Sequence, residues 1–262
     1  MRSNHEIDYK ISGEELQCIE IELDPHETVV AESGSFMMME DGIQMETIFG
    51  DGSASRNTFM DKLFSAGRRL LTGESLFMTA FTNTGQGKKH VTFAGPYTGK
   101  IIPMDLSQLN GKLICQKDSF LCAAKGVAIG IEFQKKLGTG LFGGEGFIMQ
   151  KLEGDGMAFV HAGGNIIEKT LGPGELVKID TGCIVAFTSG VDYDIQFVGG
   201  IKNTIFGGEG LFFATLRGPG KVWIQSLPIS RLAGRILAYG GGFGRKEEGS
   251  ILGGLGNLID GD

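Results

Sequence analysis

A chain of 262 residues, 41% of them apolar, is long enough to bury a sizeable core as one large β unit or as two to three small domains, which argues against disorder over most of its length. The net charge is −7, unevenly spread: from Met1 to Met60 thirteen Asp and Glu stand against Arg2, Lys10 and Arg56, a net of −10, leaving +3 for the other 202 residues. An acidic opening of this kind argues against the basic footprint that a nucleic-acid backbone demands, so no nucleic acid is expected as a partner.

At the start of the chain, Met1 to Lys10 is polar and lacks the apolar stretch of a signal peptide. No later apolar run approaches the roughly 20 residues of a membrane span. Cys18, Cys115, Cys122 and Cys183 lie far apart among mostly apolar neighbours, and the spacing of seven between Cys115 and Cys122 matches no common zinc pattern. The expectation is a soluble, cytoplasmic protein with buried free thiols.

Glycine supplies 44 residues without a collagen period, which predicts many tight turns between many short strands. Following the chain, one order of elements recurs. "ETVVAESGSFMMMEDGIQMET" leads to "LLTGESLFMTAFTNTGQGKKHVTFAGPYTGKII". "KLICQKDSFLCAAKGVAIGIEF" then leads to "LFGGEGFIMQKLEGDGMAFVHAGGNII", and "ELVKIDTGCIVAFTSGVDYDIQF" to "IFGGEGLFFATLRGPGKVWIQSLPI". We read three related β units, at 6–100, 101–165 and 166–230, followed by a short helix and glycine-rich tail at 231–262. The first unit carries an insertion at 57–71 whose apolar Phe59, Met60, Leu63, Phe64, Leu70 and Leu71 keep a helical period, with Thr58 and Asp61 spaced as a capping box.

The strand signals are period-two alternation in "VWIQSL" and continuous apolar runs in "LFFATL" and "CIVAFT". "EGDG", "LGPG", "SGVD" and "RGPG" mark turns between them. Near the end "SRLAGRILAYG" reads as one short basic helix. Nine glycines in the 23 residues from Gly240 to Asp262 predict a tail that is mobile or ordered only against a partner.

The recurring turn places Gly73 and Glu74, then Gly144, Glu145 and Gly146, then Gly208, Glu209 and Gly210 at matching positions. Two readings of the three glutamates are open. A carboxylate beside a tight turn accepts hydrogen bonds from its backbone N–H groups, the commoner arrangement; in a trimer, nine of them around an axis would form a cation-binding ring. Gly138 to Gly143 matches G-x-G-x-x-G, but the following "GGEGFIMQKL" reads as turn and strand rather than the helix a pyrophosphate needs, and neither glycine copy has the Lys-Ser/Thr pair of a Walker loop. No cofactor is expected.

His5, His26, His90 and His161 lack a second ligand at helical spacing; His26 reads as a turn residue and the later two as strand or loop residues. Serine has no G-x-S-x-G context, so no catalytic residue and no metal site is assigned. Met37 to Met39, Met45, Met78, Met104, Met149 and Met157 could form an adaptable binding surface but are read as core or inter-domain filling, with Met37 and Met39 on one strand face and Met38 on the other.

The stretch "FGGEGLFFATLRGPGKVWIQSLPISRLAGRI", with "GGEGF" and "AESGSFMMME" before it, resembles the family named for altered inheritance of mitochondria, member twenty-four, over about Ile7 to Ile236. That resemblance implies an all-β fold of three tandem small β-sandwiches, short double-stranded β-helices similar to the domain of the tryptophan RNA-binding attenuation protein. It also implies three chains closing into a homotrimeric ring. It brings no catalytic residues, and no basic position recurs in the three units as RNA reading would require. The functional expectation is a non-enzymatic ring-forming scaffold or adaptor, its tail reaching a protein or membrane-surface partner. The alternative is a small-molecule-binding protein with pockets between adjacent β units.

Overall fold

In the computed structural model the described residues are 7–49, 77–135, 147–198 and 211–240. The insertion at 57–71, the turn residues Gly73, Glu74, Gly144, Glu145, Gly146, Gly208, Glu209 and Gly210, and the chain beyond Gly240 lie outside them.

The described chain is predominantly β. The first block holds β1 (Asp8–Ser12), β2 (Cys18–Leu23), β3 (Thr28–Glu32), β4 (Phe36–Met39), β5 (Ile43–Phe49), β6 (Phe77–Asn83) and β7 (Lys89–Ala94). The second holds β8 (Gly99–Asp105), β9 (Lys112–Gln116), β10 (Phe120–Ala124), β11 (Ala128–Lys135), β12 (Phe147–Glu153) and β13 (Met157–Gly163). A third adds β14 (Ile166–Leu171), β15 (Leu176–Asp180), β16 (Ile184–Thr188), β17 (Asp192–Val198), β18 (Leu211–Arg217) and β19 (Gly220–Gln225), then the helix α1 (Ile229–Gly240).

These strands form four sheets, ordered β1-β2-β7-β4, β5-β6-β3-β10-β13-β8, β11-β12-β9-β16-β19-β14 and β15-β18-β17. Both six-stranded sheets are therefore shared between sequence blocks. β3 meets β10 with Ala31 opposite Cys122, and β9 meets β16 with Cys115 opposite Ala186, both antiparallel. A register shift recurs where β4 meets β7, β10 meets β13 and β16 meets β19, in each case between the first and third residues of the earlier strand.

Local chemistry explains the strands. In β2 the side chains of Ile19, Ile21 and Leu23 are buried while Glu20 and Glu22 point outward, the period-two signature of a strand with one dry face. β10 and β16 lie inside six-stranded sheets and bury nearly every residue. "VWIQSL" departs from its expected alternation for the same reason: β19 sits between β16 and β14, and Val222, Trp223 and Gln225 are all buried. The turn signals fall between strands, "EGDG" joining β12 to β13 and "RGPG" joining β18 to β19.

The core divides into two clusters. The larger runs from Ile19, Leu23, Val29 and Phe81 through Leu106, Leu113, Leu121 and Phe159; the smaller gathers Phe147, Met149, Phe187, Ile195 and Leu216. Each large apolar side chain so enclosed contributes about 1.5–3 kcal/mol relative to exposure.

Candidate functional site

The methionines divide between two environments. Met78, Met104 and Met149 fill the core, but β4 carries Phe36, Met37, Met38 and Met39 at 42%, 56%, 53% and 39% exposure, and Met45 beside them is also exposed. Core filling is therefore corrected for this strand. Its cause is topological: β4 is the last strand of its sheet, bonded only to β7. The register shift between Phe36 and Met38 also breaks the simple alternation expected for Met37, Met38 and Met39. Phe36 is held by stacking on Phe81, ring centroids 5.4 Å apart.

At the other end of the sheet succession β15 is likewise a terminal strand, bonded only to β18, with Leu176 at 51% exposure. β4 and β15 are thus two unlike terminal strands among the eight that end the four described sheets, one lined by methionine and one by Leu176, Val177, Lys178 and Ile179. Unpaired strand edges present rows of backbone donors and acceptors that template a further strand.

A cavity of about 450 Å³ opens between the first block and the second. Ile7, Asp8, Tyr9, Asp24 and Glu27 form one wall; Pro103, Asp105, Gln108 and Met157 form the other. Tyr9 is fixed edge-on against Phe159, with ring centroids 4.8 Å apart. Burial raises the pKa of Glu27 above the ordinary carboxylate value; the Asp24 backbone N–H, donating to Glu27 Oε2 at 2.8 Å, pulls the other way, and the Asp24 and Asp8 charges add to the rise. Asp105 is held below its ordinary value, chiefly by the Ser107 hydroxyl, with Gln108 donating to its other oxygen at 2.6 Å. Lys88 stands at the rim, bonded to Glu22 and 3.8 Å and 3.9 Å from Asp8 and Asp24. With Asp8, Asp24, Glu27 and Asp105 around it and Lys88 nearby, this arrangement is negative on balance.

Between the blocks lies a buried polar cluster. Gln225 on β19 accepts from Gly163 N at 2.8 Å and donates to Gly182 O at 2.9 Å. Tyr97 stands edge-on to His161, ring centroids 4.6 Å apart, and its hydroxyl reaches Gln225 at 3.5 Å. Burial lowers the pKa of His161, offset in part by the Tyr97 backbone, and pushes Tyr97 up to about 12. Gln225 is the polar joint here, bridging the Gly163 and Gly182 backbones. Among the described residues, no group of three or more His, Cys, Asp or Glu is placed to hold a metal ion.

The remaining sequence readings find these places. His26 is in a turn at φ 69°, while His90 and His161 are on β7 and β13. Cys115 and Cys122 are buried free thiols, but Cys18 and Cys183 are only half-buried, so the thiol reading is corrected for that pair; Cys183 lies where α1 begins, 3.8 Å from Arg231. The predicted short helix is present one residue earlier than read, and none of the described helices is long and apolar enough to cross a membrane. The cavity carboxylates escaped sequence reading because Asp8, Glu27 and Asp105 meet only through the fold.

Residues 9–227 match the profile of the family described as mitochondrial biogenesis AIM24. An uncharacterized protein of Streptococcus pyogenes serotype M6 is 32% identical over 225 residues, 84% of this chain and 86% of its own length. A crystal structure of a protein from Streptococcus pyogenes superimposes with a TM-score of 0.69 at 25% identity, covering 89% of this chain and 99% of that one.

Proposed function

Since this chain belongs to the mitochondrial biogenesis AIM24 family, we propose that it is a non-enzymatic scaffold: three similar β units per chain, with three chains closing into a homotrimeric ring. The units are those at 6–100, 101–165 and 166–230. One observation carries the reading. β4 exposes its whole apolar strand, whereas β10 and β16, which stand at the same place beside β13 and β19, bury theirs against β3 and β9. An apolar strand left bare at one end of the sheet succession, with an unpaired edge at the other, fits a closed assembly in which copies supply each other's missing neighbour. Light scattering on the native protein is the test: a mass of about 84 kDa, three times the 28.0 kDa chain, is expected, and a 28 kDa species at all concentrations refutes the ring and the scaffold with it.

The tail beyond Gly240, with α1 leading into it, is the contact element for a protein or membrane-surface partner. Ile236 and Leu237 support this, at 61% and 74% exposure on a helix whose first turn is tethered by Arg231 to Asp180 at 3.2 Å. In the cytoplasmic setting expected from the sequence, such a surface is free to meet partners.

The cavity between the first two units favours a second reading, a small-ligand-binding protein. Its carboxylates match an amine or guanidinium better than an anion. Mass spectrometry of protein purified natively would find a retained cationic molecule; loss of that molecule in Asp105→Asn would locate it, and a ligand-free spectrum counts against this reading.

A further inference from the structure

We infer that the joint between copies is an antiparallel strand pair, β4 of one chain against β15 of a second copy, in the register that sets Met38 opposite Ile179, Met39 opposite Lys178 and Glu40 opposite Val177. This rests on the ring reading and specifies the contact that would make it.

Two joints of the same kind already exist within the chain. The three-stranded half β5-β6-β3 continues into β10, and β11-β12-β9 continues into β16. The half β17-β18-β15 has the same order, ends in β15 and has no continuation among the described residues. The half β2-β7-β4 ends in β4, where β8-β13-β10 and β14-β19-β16 end in the strand that makes the joint.

Chain spacing fixes the register without adjustment. β3 and β4 begin at Thr28 and Phe36, β9 and β10 at Lys112 and Phe120, β15 and β16 at Leu176 and Ile184, eight residues apart in every case. Across the first joint Ala31 faces Cys122, Val30 faces Ala123 and Val29 faces Ala124. Across the second, Cys115 faces Ala186, Ile114 faces Phe187 and Leu113 faces Thr188. By position Ile179 matches Ala31 and Cys115, and Met38 matches Cys122 and Ala186. The shared register shift against the following strand holds the three β4-type strands in one alignment.

Burial identifies the occupant. Phe120, Leu121, Cys122 and Ala123 are at most 3% exposed and Ile184, Val185, Ala186 and Phe187 at most 1%, while Phe36 to Met39 range from 39% to 56%. On the facing side Val29 and Leu113 are wholly buried, but their counterpart Val177 is not. A second copy supplies both missing halves at once, whereas within one chain β4 and β15 end different sheets and are not paired with each other. Met37 to Met39 replace smaller or stiffer residues of the internal joints, and their flexible thioethers adapt to a surface formed by association.

Opposed Cα atoms in an antiparallel pair lie about 4.5–5.5 Å apart, within disulfide reach. The test is Met39→Cys with Lys178→Cys in the full chain, both positions being exposed in the single copy, compared with the off-register pair Met37→Cys with Lys178→Cys and with the unsubstituted chain. Mild oxidation should give reducible inter-chain products at least tenfold more abundant for the first pair, at unchanged native mass. A native mass of three chains with no preference between the pairs overturns the register and leaves the ring standing. A single-chain mass for the unsubstituted protein overturns both. Lys178→Pro, which removes a backbone donor at the edge, keeps the test independent of cysteine chemistry: dissociation with unchanged far-ultraviolet circular dichroism is expected, and an intact assembly overturns the joint.

Discussion

His161 is buried beside Tyr97, and among the described residues neither ring nitrogen makes a well-formed hydrogen bond. The Tyr97 backbone favours the imidazolium only in part, so burial prevails and depresses the pKa below the ordinary 6.5. The unfolded chain then binds a proton that the folded chain refuses. Stability contributed by the neutral ring is fully present above about pH 6.5 and is lost as pH falls from there through the lower folded value. Thermal melting of the native protein should therefore lose midpoint temperature below pH 6.5, and His161→Gln should flatten that fall; an identical pH profile in the variant refutes the assignment. Nothing around "FVHAGG" in the sequence announces this site, because Tyr97 arrives from a different sequence block. Gly163 beside it was equally opaque: a Cβ there would collide with the Leu227 carbonyl and come within 2.5 Å of the Tyr97 ring. Only the folded partners give that glycine its meaning.

At the level of elements, the connection from β6 to β7, which passes from one sheet to another, is tied to β2 by Asn83, wholly buried at the end of β6. Its amide donates to Leu23 O at 2.8 Å and Gly87 O at 2.7 Å and accepts from Gly85 N at 2.9 Å. Asn83→Leu should cost about 1–3 kcal/mol, since it removes the buried donor to Leu23 O, whereas the part-buried Gly85 and Gly87 groups can turn to water; urea unfolding measures it. The strands themselves were legible. Apolar runs in "LFFATL" and "CIVAFT" and glycine-bearing turns such as "EGDG" each correspond to a local backbone preference, and strands stand where those signals lie. What escaped was which strand neighbours which. β19 was expected to alternate and does not, and "FMMM", read as core or inter-domain filling, is outside the core of the single chain, because both outcomes depend on a strand's rank in its sheet rather than on its own residues. The glutamate turns singled out from the sequence lie outside the described residues, so the cation-ring and turn-capping readings both stand.

For the whole molecule, association should be linked to stability. If copies complete each other's edges, the assembled state binds the folded chain and not the unfolded one, so the melting temperature should rise with protein concentration over a hundredfold range. A midpoint independent of concentration would mean that the folded chain gains nothing from neighbours. The acidic opening of the sequence finds its place here as well. Asp8, Asp24 and Glu27 converge on one cavity wall, and Lys88 offsets part of their charge. Charge asymmetry was plain in the composition; its gathering against Asp105 of the second block was not, because the two walls are supplied by residues roughly eighty positions apart.

The sharing of sheets between blocks also has a consequence for biosynthesis. β3 acquires its neighbour β10 only when the chain has grown from Ala31 to Cys122, a further 91 residues. At about 5–20 residues per second the ribosome needs on the order of 5–20 s to supply it. Through that interval the edge formed by Val29, Val30 and Ala31 is open to any other nascent chain, and the exposure falls earliest and lasts longest in the first block, since β9 waits only 71 residues, from Cys115 to Ala186, for β16.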